Sequence, residues 1–258
     1  MRHPAHCGRP RQAAGTRTSC TGSRDRYRRV RTVTAVSELV LGTSAAAWQK
    51  VGMTVDDQTA RVGAVTLRFA PHEQGLARWG LAGLPAASRT VTDIDGLPTA
   101  QAPASVGPAP DNEMGAIRLE LITVATTSLL RTADAIEAAT SEPLASVRGS
   151  AQFSVGFIRL GEVLVEIAQS NRVSGDHATF GGFVIVVEQL EQLTARLGPD
   201  VISEPRIAVQ YGRRIATFRA SAGLGTPVAA MTPPPPQPPT PEQEREWTAM
   251  RLAARKGD

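Results

Sequence analysis

The chain has 258 residues, 41% of them hydrophobic and 20% charged, enough for one large or two small domains with real cores. No run approaches the roughly 18 apolar residues of a membrane span, which excludes a membrane partner on this reading. The formal charge of +4 is local, because residues 1–32 carry nine Arg and one Asp; the rest is mildly acidic and offers no basic surface to a nucleic acid.

Residues 1–32 are polar, Arg-rich and nearly free of aliphatics. Such a composition cannot bury enough surface to offset ordering entropy, so they read as a disordered basic leader. There is no apolar secretory segment, and His3-Pro4 and Arg9-Pro10 interrupt any amphipathic transit helix. The preferred reading is an early assigned start, with the native protein beginning near Val33. Both cysteines, Cys7 and Cys20, fall in this leader, and two isolated Cys make neither a disulfide framework nor a zinc site. A cytoplasmic compartment is the default.

A rhythm of elements follows. SELVLGT (Ser37–Thr43) is a short β-type run, and TSAAAWQKVG predicts a helix capped by Thr43 or Ser44 and ended by Gly52. Polar turns and the strand GAVTLRFA (Gly63–Ala70) come next. GLARWGLAGL through TDIDGLPT is a truncated second version, with Asp93 and Asp95 in a turn that has too few ligands for calcium. A third version begins RLELITVA (Arg118–Ala125) and enters LLRTADAIEAA, where Leu129, Ala133 and Ile136 recur at helical spacing. The strand-like runs ASVRGS, QFSVGFIRLG and EVLVEIAQ complete it. A fourth begins FGGFVIVV (Phe180–Val187), continues through EQLEQLTARLG with Leu190, Leu193 and Leu197 on one stripe, and ends in RIAVQYG, RRIATFRA and TPVAAM.

The last strands of the first and third versions nearly repeat one another. GAVTLRFA and GEVLVEIA share Gly, Val and Ala at matching positions, but Arg68 stands where the later copy has Glu166. The unit is therefore strand, helix and three antiparallel strands, recurring at about fifty residues. The predicted fold is α+β, with paired βαβββ modules whose curled sheets surround a cavity. A degenerate module pair spans 36–110 and a better-formed pair spans 116–232. Residues 233–258 are a Pro-rich linker and tail: TPPPPQPPTP is polyproline II by composition, and EQEREWTAMRLAARKG forms a short helix with Trp247, Met250 and Leu252 on a loose apolar face, or the whole is a spacer and a frayed tail, or, less favoured, a docking segment for an SH3-like partner.

The segments IRLELITVATTSLLRTADAIEAA, FIRLGEVLVEIA, AVQYGRRIATFR and AGLGTPVAAMTP resemble the glyoxalase-like branch of the vicinal oxygen chelate superfamily, which includes glyoxalase I, extradiol dioxygenases and bleomycin-binding proteins. The resemblance covers most of residues 36–232. It implies a divalent metal between paired modules, held by His on each first strand and Glu on each last strand. Carried over residue by residue, that site is poor. The third module offers Leu119 and Glu166, the fourth Gly182 and Ala229, and the first Glu38 and Arg68, which cannot ligate a metal. His3 and His6 lie in the leader, and His72 and His177 fall in predicted loops.

The residues left to carry function are few. Glu166 alternates with Val165 and Ile167, so its carboxylate faces the cavity beside Leu164 and Ala168. There it is a general base with a raised pKa, or it pairs with an Arg such as Arg159 or Arg213, or it is simply exposed. At most one of Arg213 and Arg214 enters the pocket, as a ligand for a carboxylate or phosphate, with Gln210 just ahead of them; the preferred reading is that both are solvated edge charges that discourage strand pairing. Trp48 and Trp79 are core anchors, or Trp79 lines the cleft. Glu38 and Arg68 are candidates for a buried cross-module pair. The expected function is metal-independent binding of a small molecule, as in bleomycin-resistance-like proteins, with no cofactor. The alternatives are a metal-dependent lyase, isomerase or dioxygenase with an atypical site around Glu166, and a structural pseudo-enzyme. Modules of this superfamily often pair between chains, so the resemblance leaves open pairing within one chain or between two, the second giving a homodimer.

Overall fold

The computed structural model describes residues 33–150 and 153–254. The expectations for the leader and its start, with Cys7, Cys20, His3 and His6, fall on residues 1–32 and lie outside the described residues.

The first sheet begins with β1 (Ala35–Leu41), α1 (Ala45–Lys50), β2 (Val55–Asp56), β3 (Thr59–Val62) and β4 (Val65–Phe69). It continues with β5 (Leu76–Ala82), one 3-10 turn at Ala86–Ser88, β6 (Asp93–Ile94) and β7 (Leu97–Gln101), in the order β2-β3-β4-β1-β5-β7-β6. The second sheet holds β8 (Ala116–Thr126), α2 (Leu129–Thr140), β9 (Leu144–Ser150), β10 (Phe153–Leu160) and β11 (Val163–Ser170). To these it adds β12 (Thr179–Val187), α3 (Leu190–Leu197), β13 (Arg206–Ile207), β14 (Arg214–Thr217) and β15 (Val228–Met231), in the order β13-β14-β15-β12-β8-β11-β10-β9. In both sheets the first strands of two modules lie antiparallel, β1 against β5 and β8 against β12. Each module's last strand then returns parallel to its first, as β4 does beside β1 and β11 beside β8. A parallel return needs a crossover, which the helices supply in three of the modules. These are paired βαβββ modules, and the truncated second one replaces its helix with the 3-10 turn.

Alternation sorts the two faces. On β11, Val163, Val165 and Ile167 are fully buried, while Leu164, Glu166 and Ala168 are only half-buried; on β4, Val65, Leu67 and Phe69 are buried and Thr66 and Arg68 are not. The buried faces of both sheets belong to one apolar core. Its anchor is Trp48 of α1, whose ring stacks on Phe69 at 5.8 Å and on Phe183 at 6.0 Å. Ser44 takes the N-cap position of α1. Thr43 instead sends its hydroxyl across to the Gly223 carbonyl at 2.6 Å, another tie between the two halves.

The faces away from the core are treated differently. Over the first sheet the chain lays its own connecting segment. Arg61 donates to the carbonyls of Val106, Gly107 and Pro108, and Thr66 meets Ser105 at 3.3 Å. Over the second sheet comes α4 (Pro241–Ala254). The expected fraying of the tail is corrected here. The Trp247 indole N–H donates to the Ala208 carbonyl at 3.1 Å, and its ring meets Tyr211 edge-on at 5.7 Å. Tryptophan gains by burying its ring while keeping one hydrogen bond, and the loop before β14 offers both. Among the described residues no helix is long and apolar enough to cross a membrane.

The turn in TDIDGLP joins β6 to β7, with Asp95 at φ 54° and Gly96 at φ 90°. Two successive left-handed residues make a tight hairpin, which suits the Asp-Gly pair. The Asp95 carboxylate is nearly buried, and accepts from Arg131 Nε at 2.8 Å and from the Thr132 hydroxyl at 2.5 Å. It docks the second module onto α2.

Candidate functional site

The site is built on the second sheet's open face. Strands β8 and β11 run in register, so Glu166 lies beside Thr123 and Leu164 beside Leu121. Across β8, Leu121 faces Val184, which in turn pairs with Ala229. Between Leu121 and Leu119 the register shifts by one residue: Leu121 opposes Val184, but Leu119 opposes Ile185. The extra residue is Glu120. A bulge of this kind re-aims the side chains around it. It corrects the expectation for Leu119, which is turned into the core and is 1% exposed. The inward positions of β8 are Leu121 and Thr123.

These strands floor a cavity of about 380 Å³. Leu121, Val184, Ile215 and Met231 give it apolar walls, the segment 206–210 forms one side, and Arg251 and Ala254 of α4 line it from above. Its size falls at the small end of ordinary ligand pockets. Glu166 stands on the floor, and among the described residues it has no hydrogen-bond or ion-pair partner. Burial pushes its carboxyl above the usual carboxylate range.

That shift has a sign that can be measured. The folded chain holds the Glu166 proton more tightly than the unfolded chain does. The associated stability is therefore full below the unfolded pKa and is lost as pH rises through the folded one. Glu166→Gln removes the loss. The variant is expected to melt higher than the parent at about pH 8 and at the same temperature at about pH 4, with each kcal/mol worth about 2–4 °C in a chain of this size. Thermal melts at both pH values check this; a variant that melts lower at the higher pH contradicts it.

Glu120, freed by the bulge, went unnoticed in the sequence. Its Oε1 accepts from Arg213 Nη1 at 2.7 Å, and its Oε2 accepts from Arg118 at 2.7 and 3.1 Å. Burial is the largest single influence on its carboxyl and pushes upward. The hydrogen bonds and charges of Arg213 and Arg118 together outweigh it and hold Glu120 below the usual value.

Of the residues singled out in the sequence, Glu166 and Gln210 line the cavity. Arg213 does not. It is 3% exposed and committed to Glu120 and to the Thr232 carbonyl at 2.7 Å. Arg214 points elsewhere, to Glu191 at 3.2 Å and to the Pro205 carbonyl at 2.6 Å. Adjacent strand residues diverge, but here neither guanidinium reaches the pocket. Trp79 is a fully buried core residue of the first sheet, its N–H donating to the Thr99 hydroxyl at 2.7 Å. Arg159 donates to the Glu162 carbonyl and leaves Glu166 alone. Glu38 and Arg68 do pair, at 2.8 Å, but within one module and with Arg68 48% exposed, so this is a surface pair and not a buried cross-module one. Two cavity residues had no sequence signal, Arg206 and Arg251; the second lies in the tail expected to fray.

The resemblance seen in the sequence implies a divalent metal, which the donors around Glu166 would have to hold. Around Glu166 the adjoining positions are Thr123, Gly182, Val184 and Ala229. Among the described residues no three His, Cys, Asp or Glu side chains come together to hold an ion. One carboxylate is not a divalent-metal site, so this donor set does not fit the group.

The sequence matches no family model and no curated protein. Solved structures do match. A triple mutant of 4-hydroxymandelate synthase from Streptomyces coelicolor is 12% identical, with 86% of this chain and 99% of that chain covered at a TM-score of 0.52. Methylmalonyl-CoA epimerase from Mycobacterium tuberculosis is 12% identical over 47% of this chain and 91% of its own, with a TM-score of 0.39. The synthase has the vicinal oxygen chelate fold, and this chain has that fold. At such identities the likeness concerns fold alone.

Proposed function

We propose that this chain binds a small organic molecule in the cavity over the second sheet, without a metal, in the manner of the sequestering, bleomycin-resistance-like branch of the superfamily. One observation carries the reading: Glu166 stands half-buried and unpaired on a floor that is apolar apart from the neighbouring Thr123. A buried carboxyl group without a partner costs stability. A ligand that supplies the missing hydrogen bond would recover that cost, while the surrounding Leu121, Val184 and Met231 would contribute apolar contact. The first sheet offers no counterpart. Its equivalent position is Arg68, already paired, and its open face is crossed by residues 105–108.

The same desolvation favours a second reading, proton transfer. A carboxylate whose pKa is lifted toward neutrality can take a proton from a carbon acid and return it, the chemistry of an isomerase or lyase. Among the described residues Glu166 is the one carboxyl group on the floor, so a single-base mechanism is the form this reading takes.

The binding reading is tested with the neutral fluorophore N-phenyl-1-naphthylamine, titrated into the protein with and without EDTA. Saturable uptake of one molecule per chain, unchanged by the chelator and blocked by filling the cavity with Ala254→Trp, is the expected result. Uptake abolished by EDTA would make the site metal-dependent. Uptake indifferent to Ala254→Trp would place the binding elsewhere.

A further inference from the structure

The charged groups around the cavity are unequally committed. Arg118 and Arg213 are both spent on Glu120, Arg214 on Glu191 and the Pro205 carbonyl, and Arg159 on the Glu162 carbonyl. Two guanidinium groups line the cavity itself, Arg206 and Arg251. Neither has an ion-pair partner among the described residues. The Arg251 Nε–H is buried and meets no acceptor. Glu166, in the same cavity, is also unpartnered, yet it does not come within ion-pair distance of either arginine. Two complementary groups that share a cavity and do not touch leave space between them for a molecule that touches both.

We propose that the ligand is an organic anion with an apolar body, whose charged oxygen group is held by Arg251 from the C-terminal helix, with Arg206 beside it. This rests on the reading of the cavity as the ligand site and names the class of ligand it takes. The chemistry follows from the inventory. The lining carries two positive groups against one carboxyl; Arg206 is exposed to solvent, but Arg251 is half-buried, so a neutral or cationic ligand would leave its guanidinium uncompensated in a partly dry space, whereas an anion neutralises it. A planar guanidinium suits the oxygens of a carboxylate, sulfonate or phosphate. An anion in the cavity also favours the neutral form of Glu166, in the direction burial already pushes it, and a neutral carboxyl donates its proton to a second oxygen of the ligand. The apolar body lies over Leu121, Val184 and Met231. The C-terminal helix is thus part of the binding site: Trp247 and Tyr211 seat it, and Arg251, one turn on, reads the charge.

Two fluorophores with the same aromatic body separate the outcomes: anionic 1-anilinonaphthalene-8-sulfonate and neutral N-phenyl-1-naphthylamine. The full chain is titrated with each, as the parent, as Arg251→Gln and as Ala254→Trp. The expected result is that Arg251→Gln weakens the sulfonate about tenfold, as loss of one charge-assisted contact does, and leaves the neutral probe within about twofold. A change equal for both probes would make Arg251 a mere cover, and no change for the sulfonate would make it a bystander. Either overturns the anion assignment while leaving the cavity as the site. Binding of neither probe, or binding that Ala254→Trp does not touch, overturns the reading of the cavity on which the assignment rests. Circular dichroism of each variant guards against loss of the fold, since Arg251 and Ala254 lie outside the core.

Discussion

Arg213→Ala is expected to lower the unfolding free energy by about 3 kcal/mol, at the lower end of what breaking a buried pair costs. The reason lies in what remains. Glu120 keeps Arg118 at 2.7 Å, so it is not left wholly unpaired, but the fully buried Arg213 packing and the Thr232 carbonyl contact are lost. Arg213→Met should cost less. It retains apolar volume, and it also removes Nη2, a buried nitrogen without a partner. The pH dependence is specific. Glu120 is held low in the folded state, so its stabilising contribution is present above the unfolded pKa and is lost as pH falls through the folded one. The deficit of Arg213→Ala is therefore largest near neutrality and shrinks in acid, which denaturant titrations at several pH values would measure. A deficit that grows in acid would contradict this account. Glu120 and Glu166, on adjacent strands of one sheet, thus drive stability in opposite directions with pH.

Trp48→Ala is expected to cost about 3–5 kcal/mol, as for other buried aromatics truncated to Ala. Trp48 is fully buried and stacks on a ring from each sheet, so its loss opens a cavity where the two halves meet. Trp48→Phe is the informative partner. The Trp48 indole nitrogen is buried without an acceptor, so Phe gives up volume but also removes an unsatisfied donor. The Phe variant should recover most of the loss. If Phe and Ala were equally damaging, the indole would be hydrogen-bonded in a way the geometry does not show. Trp79, by contrast, has Thr99 at 2.7 Å and should not tolerate Phe as well.

The module order was legible because it rests on local signals: period-two runs, Gly-bearing turns and helical stripes such as Leu129, Ala133 and Ile136. The face on which Glu166 lies was legible for the same reason, since Val165 and Ile167 must point the other way. What escaped depends on where the backbone departs from its period. A one-residue bulge at Glu120 has no marker in RLELITVA, yet it sends Leu119 into the core and brings out a carboxylate. The fates of Arg213 and Arg214 followed from that unseen carboxylate and from Glu191. The docking of α4 was equally hidden. Its sequence is weakly amphipathic, and its position depends on a carbonyl, Ala208, and a ring, Tyr211, more than thirty residues away. Arg251 therefore entered the site from a segment that composition alone assigns to a tail.

We propose that the open face of the second sheet binds its ligand beside Glu166, in a cavity with largely apolar walls, without a metal. Elemental analysis of the protein purified without a histidine tag, beside Glu166→Ala, tests it most directly. The account predicts metal well below one equivalent per chain in both proteins. One equivalent in the parent, lost in Glu166→Ala, would contradict it and turn the search toward the metal-dependent reactions of the superfamily.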